Sequence, residues 1–554
     1  MKSWQIVLVL FPFLVFAQQQ QIYSKAAVSS ARIEASEIGA EILKQGGNAF
    51  DAMIAVELAL AVSYPYAGNI GGGGFMVYAQ ANGSVGSLDY RELAPEKASE
   101  NMYLNANGSV DTDKSTKGAL AVGVPGTIAG IFEVHKKFGS LPIETLFKLA
   151  IRLARKGVRM SALQYQQWQT HQKTIIEVSG KELPFKIEHK IGDRVTFRAL
   201  ARTLERISKN GSAEFYSGKT ARKLVSALRK RGGIITANDL KNYRAKWRKP
   251  LCFPFKEYTI CSMPPPSSGG VALAQLFGML ENFKLDTLRV NNLTYIQLLT
   301  ELERRAYADR SKFLGDPDFV NVPVTELTAS NYLKERAASI NFDRATVSKD
   351  IEAGAITISE SDETTHYSIA DSFGNVVAVT TTLNGAFGSK LYLPELGFFL
   401  NNEMDDFSAK PGFPNSYGLT GSSANKIEPG KRMLSSMTPT IVLKNNKPIL
   451  ALGSPGGSTI ITTVFQTLLN VLQFEMPIQA AIDSPRFHHQ WLPDEVLFER
   501  NFPKEHFQAL ENKGYKIKVG ESPVIGKVDA IFIDSLGNKH AGADKRGEDA
   551  TAGF

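Results

Sequence analysis

The sequence predicts an α+β fold, and three observations carry that prediction. Two helices open the chain over residues 29–63, helical stretches dominate residues 125–250, and after residue 363 the pattern changes to short β-branched runs. Ser29 and Ser30 are placed to cap the first helix, whose apolar face includes Ile33, Ile38 and Ile42. Gly46-Gly47 ends it, and Asn48 or Asp51 begins the second. The second helix, residues 52–62, is rich in Ala and apolar nearly all round, which marks a buried helix. The run from Gly68 to Phe75 contains Gly71-Gly72-Gly73-Gly74. It lacks the Lys-Ser or Lys-Thr of a phosphate loop and the glycine spacing of a dinucleotide fold, so it reads as close backbone packing. Strands follow over residues 75–79 and 85–90.

Residues 262–270 form a rigid Pro- and Gly-rich turn into a helix over residues 271–281. Residues 340–363 read as an exposed loop ending in Ser359-Glu360-Ser361-Asp362-Glu363. Beyond it, residues 365–370 alternate, Asp371-Ser372-Phe373-Gly374 is a turn, and residues 375–383 are β-branched. Further strands are predicted at 439–444, 448–452 and 528–533, with a helix over Thr459–Leu472 after the Gly456-Gly457 turn.

Composition narrows the class. The 554 residues are 43% hydrophobic and 21% charged, an ordinary globular balance with no sign of disorder or a fibrous repeat. A net charge of +8 is modest at this length, and the basic residues are scattered, so they read as a solvated face. No zinc-finger spacing, RNA-binding aromatic motif or His-Glu-x-x-His run supports nucleic-acid or metal binding, and no cofactor is called for. His366, His488 and His489 therefore read as structural.

Lys2, an apolar run from Ile6 to Phe16, and small residues at Val15 and Ala17 fit an export signal cut after Ala17; an uncleaved anchor is the competing reading. No other stretch is long and apolar enough to span a bilayer. Cys252 and Cys261, the only cysteines, are spaced for a hairpin, and an oxidising compartment permits a disulfide between them without requiring one.

The predicted hairpin places Thr364 beside Thr381 and Thr382 at its open end. Two threonine hydroxyls meeting there could be only a structural hydrogen bond. The wider sequence says more. Thr364-Thr365-His366-Tyr367-Ser368-Ile369, Gly374-Asn375, Thr380-Thr381-Thr382-Leu383-Asn384 and Phe387-Gly388 together resemble the signature of the γ-glutamyltransferases. So do, in order along the chain, the Gly71–Gly74 run, Asp89-Tyr90-Arg91-Glu92, Pro264-Pro265-Pro266-Ser267-Ser268-Gly269-Gly270, residues 401–407, Leu434-Ser435-Ser436-Met437 and Gly453-Ser454-Pro455-Gly456-Gly457.

The resemblance implies an N-terminal-nucleophile hydrolase: an αββα sandwich of two stacked, mainly antiparallel sheets between helical layers. It implies a periplasmic or secreted precursor with a leader (residues 1–17), a large subunit (18–363) and a small catalytic subunit (364–554), intertwined in one fold. The chain would cut itself before Thr364. The freed α-amine, titrating near pH 7.7–8, would then serve as base to the Thr364 hydroxyl. Thr382 would hydrogen-bond Thr364, and Gly456 and Gly457 would supply an oxyanion hole. Arg91, Ser435 and Ser436 would hold the substrate α-carboxylate; Asn384, Glu403 and Asp406 would hold its α-ammonium. A lid over residues 408–432 would place Tyr417 across the site.

The implied substrates are glutathione and other γ-glutamyl compounds, with water, amino acids or dipeptides as acceptors. Glu363 contributes only the carbonyl that is attacked. Two rivals stand: a cephalosporin or glutaryl acylase on the same fold, whose substrates lack the α-amine, and an unprocessed relative without catalysis.

Overall fold

The computed structural model describes residues 21–351, 364–408, 422–520 and 524–554. The leader, Glu363 and Tyr417 lie outside the described residues.

Two seven-stranded sheets form the centre, and every neighbouring pair within them is antiparallel. The first runs, in spatial order, Ala550–Gly553, Ala27–Ser30, Thr364–Ala370, Val376–Thr382, Gly73–Ala79, Val85–Asp89 and Lys246–Arg248. The second runs Gln21–Tyr23, Lys539–Ala543, Asp529–Ile533, Lys447–Gly453, Thr440–Lys444, Tyr258–Ser262 and Leu251–Phe255.

Alternation along the strands assigns the layers. Tyr367, Ile369, Val377 and Val379 face a core shared with the helices Ile33–Lys44 and Ala49–Ser63. Residues of the other parity, Ala370, Val376 and Ala378, face Ile441, Leu450, Leu452 and Ile531 of the second sheet. That core continues into the helices Gly269–Leu280 and Thr459–Leu472 on the far side. The result is the four-layer αββα arrangement that the element order and motifs imply.

Helix Ala49–Ser63 is buried along its whole length, as its uniform apolarity predicts. Asn48 caps it in a full capping box with Asp51. The first helix corrects one expectation. Ser29 and Ser30 do not cap it; they lie in the strand Ala27–Ser30, and Arg32 occupies the N-cap position with no side-chain cap. The Ser29 hydroxyl donates instead to Asp529 Oδ1 (2.7 Å) and the Gly542 carbonyl, tying one sheet to the other. Ile33, assigned to the apolar face, is exposed, whereas Ile42 is buried.

The glycine run packs as expected: a Cβ at Gly72 would sit 2.1 Å from the Thr382 carbonyl oxygen and one at Gly71 2.3 Å from that of Phe399. Cys252, on the edge strand Leu251–Phe255, faces Cys261 on the neighbouring strand Tyr258–Ser262, and the two are joined by a disulfide, with Cα atoms 4.1 Å apart. Pro254 lies on the outermost strand, where a missing amide hydrogen costs no ladder bond. Among the described residues, no helix is long and apolar enough to cross a membrane.

Candidate active site

The hairpin Thr364–Ala370/Val376–Thr382 pairs Thr364 directly with Thr382. Both side chains are buried on the face turned to the second sheet, and the Thr364 hydroxyl donates to Thr382 Oγ1 at 3.5 Å. Thr382 Oγ1 also accepts the backbone N–H of Asn384 at 2.7 Å.

The hairpin is held at both ends. At the turn, Asp371 accepts from the amides of Phe373 and Asn375. It also accepts from the Ala49 amide at the N-terminus of the buried helix, where the helix dipole favours a carboxylate. On the helix-facing side Glu57 accepts from Tyr367 Oη (2.7 Å) and Thr381 Oγ1 (2.8 Å), one donor from each strand.

Burial raises the Glu57 carboxyl from 4.5 to about 7, and the two hydrogen bonds only partly offset this. Because its folded pKa lies above its unfolded value, its stabilising contribution is complete below about pH 4.5 and is lost as pH rises through about 7. Thermal melts between pH 4.5 and 8 should therefore show a steeper loss in the wild type than in Glu57→Gln, a difference of up to about 3 kcal/mol. Parallel curves would show that Glu57 does not titrate there.

His366, one residue beyond Thr365 on the site face, bonds to Thr380 Oγ1 (2.8 Å) and Ser368 Oγ (3.1 Å). Burial pulls it down to about 3, so it is neutral. Gly453, which ends the strand Lys447–Gly453, lies directly against it; a Cβ there would be 2.4 Å from the ring. From Gly453 the chain passes through Gly456 and Gly457, both at positive φ (132° and 55°), into helix Thr459–Leu472. That path places the two glycines at the N-terminal end of a buried helix. Among the described residues, no group of three or more His, Cys, Asp or Glu side chains could hold a metal ion.

The polar residues predicted for substrate form a connected set beside the threonine pair. Asn384, with φ 71°, donates from Nδ2 to the Asn402 carbonyl at 3.2 Å. The next residue, Glu403, is fully buried and pairs with Arg91 Nη1 at 2.5 Å. Arg91 Nη2 pairs with Asp406, and Glu92 lies 3.8 Å from Nη1. The guanidinium also donates to the carbonyls of Met433 (3.5 Å) and Leu434 (3.3 Å), which lead straight into Ser435 and Ser436. Arg91 is itself set by Asp89, whose Oδ1 accepts the Arg91 backbone amide at 3.0 Å.

One guanidinium thus faces three carboxylates. Burial works against the Arg91 charge, but Glu403, Asp406 and Glu92 outweigh it and hold the cation firmly. Burial raises Glu403 well above the usual carboxylate range despite Arg91, with Glu92 and Asp406 adding repulsion. Burial likewise raises Glu92 to about 8, against the pull of Arg91. The cluster holds more carboxyls than its one cation can balance.

One contributor carried no sequence signal of its own, and two of the quoted motifs contribute residues to which the sequence assigned no role. Asn425 bridges the site by donating to the Asp406 carbonyl (2.7 Å) and accepting the Leu434 amide (2.9 Å). Asn401 accepts the Gly123 amide and donates to the Gly71 carbonyl. The Ser267-Ser268 segment is hydrogen-bonded along the predicted serine pair, Ser268 N donating to the Ser435 carbonyl at 2.7 Å.

Comparison with known proteins gives the family and the fold. A family model described as gamma-glutamyltranspeptidase matches residues 35–554. The chain is 43% identical over 532 residues to the glutathione hydrolase proenzyme of Escherichia coli K12, covering 95% of this chain and 91% of that one. It is 44% identical to the protein of the same name from Pseudomonas aeruginosa, covering 94% and 93%. Among solved structures, cephalosporin acylase from Bacillus halodurans superimposes with a TM-score of 0.86 over 99% of both chains, at 24% identity, which is a likeness of fold. Helicobacter pylori gamma-glutamyltranspeptidase is 42% identical with a TM-score of 0.57, covering 58% of this chain and 94% of its own. The fold is that of the N-terminal-nucleophile hydrolases, and by sequence and family match this chain belongs to the gamma-glutamyltranspeptidase family.

Proposed function

We propose that this protein is an exported glutathione hydrolase and γ-glutamyltransferase that cuts itself between Glu363 and Thr364. The observation that carries the reading is the cluster around Arg91: one guanidinium, an excess of buried carboxyls and two adjacent serines, next to a threonine pair. A γ-glutamyl end is a zwitterion. Its α-ammonium supplies a second cation to Glu403 and Asp406, which share Arg91, with Asn384 as a further acceptor. Its α-carboxylate gives Arg91, Ser435 and Ser436 an anion. A glutaryl group brings no ammonium and would leave the acidic side uncompensated.

The chemistry runs in three steps. In the precursor the Thr364 hydroxyl attacks the Glu363 carbonyl; the C–N bond breaks, the nitrogen takes the proton, and water opens the resulting ester. The freed Thr364 amine then accepts the hydroxyl proton as Thr364 Oγ1 attacks the γ-carbonyl of the substrate. The leaving amine departs protonated, giving a γ-glutamyl–threonine ester. Water or an acceptor amine attacks that ester and restores the hydroxyl. Thr382 orients Thr364, and the Gly456 and Gly457 amides stabilise the oxyanion, aided by the helix behind them. The word proenzyme in the relatives' names supports the maturation step.

The test is direct. The purified protein should run as two chains, the smaller beginning at Thr364 by N-terminal sequencing, and should release anilide from γ-glutamyl anilide, faster with a dipeptide acceptor. A single uncut chain without activity would favour the non-catalytic relative. Processed chains that cleave glutaryl anilide but not γ-glutamyl anilide would favour the acylase.

A further inference from the structure

We propose that Arg310 is a positioning residue that presets Ser435 and Ser436 as hydrogen-bond donors to the substrate carboxylate. The inference rests on the γ-glutamyl reading above.

A serine hydroxyl has one proton to donate and two lone pairs to accept with. To hold a carboxylate, which only accepts, both serines must keep their protons for the substrate. The surroundings of the pair are arranged that way. Arg310, buried on helix Leu293–Phe313, donates from Nη2 to Ser436 Oγ at 2.9 Å. The Met437 amide donates to Ser435 Oγ at 3.1 Å. Both serine oxygens thus act as acceptors toward the protein, and among the described residues neither hydroxyl donates to another group.

Arg310 also acts through a second route. Its Nε donates to Ser268 Oγ at 2.8 Å, and that hydroxyl donates onward to the Ser435 carbonyl at 2.8 Å. All of these bonds run in one direction, from the guanidinium toward the serine segment. A charged donor at the head of such a chain strengthens each later bond and sharpens the acidity of the Ser436 hydroxyl. Residues 433–436 are therefore held between two buried guanidiniums, Arg91 on the carbonyls of Met433 and Leu434 and Arg310 on the Ser436 hydroxyl. Removing Arg310 would free the Ser436 proton to turn toward a backbone carbonyl and would weaken both donors.

The experiment compares two substrates in Arg310→Gln. γ-Glutamyl anilide carries the α-carboxylate; 4-aminobutyryl anilide keeps the amine and lacks it. The expected result is a rise in KM of about tenfold for γ-glutamyl anilide with kcat changed less than about threefold, and kcat/KM for 4-aminobutyryl anilide within about twofold of wild type. Arg310→Lys, which keeps the charge and one donor, should recover most of the loss. Processing into two chains reports on folding. If Arg310→Gln does not process, Ser268→Ala carries the same comparison, with a selective KM rise of about two- to threefold expected. Equal losses on both substrates, or none, in a processed variant would overturn the proposal and leave Arg310 a structural residue. Wild-type enzyme that does not prefer γ-glutamyl over 4-aminobutyryl anilide would overturn the underlying reading of the carboxylate site, and this proposal with it.

Discussion

Thr364→Ala is expected to give one uncut chain with no measurable γ-glutamyl transfer, a loss of at least about 10⁴-fold in kcat. The size of the effect comes from the double use of one hydroxyl. In the proposed mechanism it breaks the Glu363–Thr364 bond in the precursor and is the nucleophile of the mature enzyme, whose base that cut creates. Alanine removes both roles and leaves only binding and the oxyanion site. The fold should survive, because among the described residues the Thr364 hydroxyl makes one hydrogen bond, 3.5 Å to Thr382, while the hairpin is fixed by seven paired positions and by Glu57 and Asp371. Thr364→Ser keeps the hydroxyl and should still process, more slowly because the freer serine side chain is less well aimed. A denaturing gel and an anilide assay on the two variants check this. A cut Thr364→Ala chain would mean that another group, or another protein, performs the cleavage.

The hairpin that carries Thr364 and Thr382 was legible because strand alternation is a strict rule. A turn at residues 371–374 brings Thr364 to within one position of its partner, beside Thr381 and Thr382, and the structure settles the pairing on Thr382, with both on one face. Helix Ala49–Ser63 was legible for a related reason, since an Ala-rich helix with no polar face has nowhere to go but the interior. Ser29 and Ser30 misled because serine before an apolar period signals a cap, whereas here a strand partner claims the hydroxyl first. Arg310 stayed hidden, and Glu92 entered only as part of the Asp89-Tyr90-Arg91-Glu92 motif with no role: a charged side chain reads as a solvent face, and only the tertiary structure shows it buried beside a site. Asn425 sits in a Gly- and Pro-rich segment whose composition says loop and nothing about which loop residue reaches back to Asp406.

The acylase comparison shows why the fold alone does not decide the substrate. At 24% identity the likeness to cephalosporin acylase spans both chains, yet one scaffold can hold sites for acyl groups with and without an α-amine. The decision lies in a few side chains, and Asp406 is the most informative of them.

Asp406→Asn is expected to lower kcat/KM for γ-glutamyl anilide by roughly 30-fold or more, because removing one member of a buried charge pair typically costs about 2–5 kcal/mol. The substitution keeps the shape and removes the charge. Asp406 pairs with Arg91, and its side chain is 7% exposed, against 0% for Glu403. Two effects of the change oppose each other. In the proposed binding mode the substrate ammonium loses one of its carboxylates, and the amide –NH₂ puts a donor where an acceptor is needed. Against that, Glu403 and Glu92 lose a repelling neighbour, so their carboxyls ionise more readily and recover part of the negative potential. Both of those groups are fully buried and share a single guanidinium, which limits the recovery. The net loss should therefore remain large for γ-glutamyl anilide and be much smaller for glutaryl anilide, which has no ammonium to strand. The proposed self-cleavage needs Thr364, Thr382 and the local backbone and not Asp406, so the variant should still run as two chains. Near wild-type hydrolysis of γ-glutamyl anilide by processed Asp406→Asn would show that this carboxylate does not hold the amine, and the acceptor for the ammonium would then have to be sought in Glu403 alone.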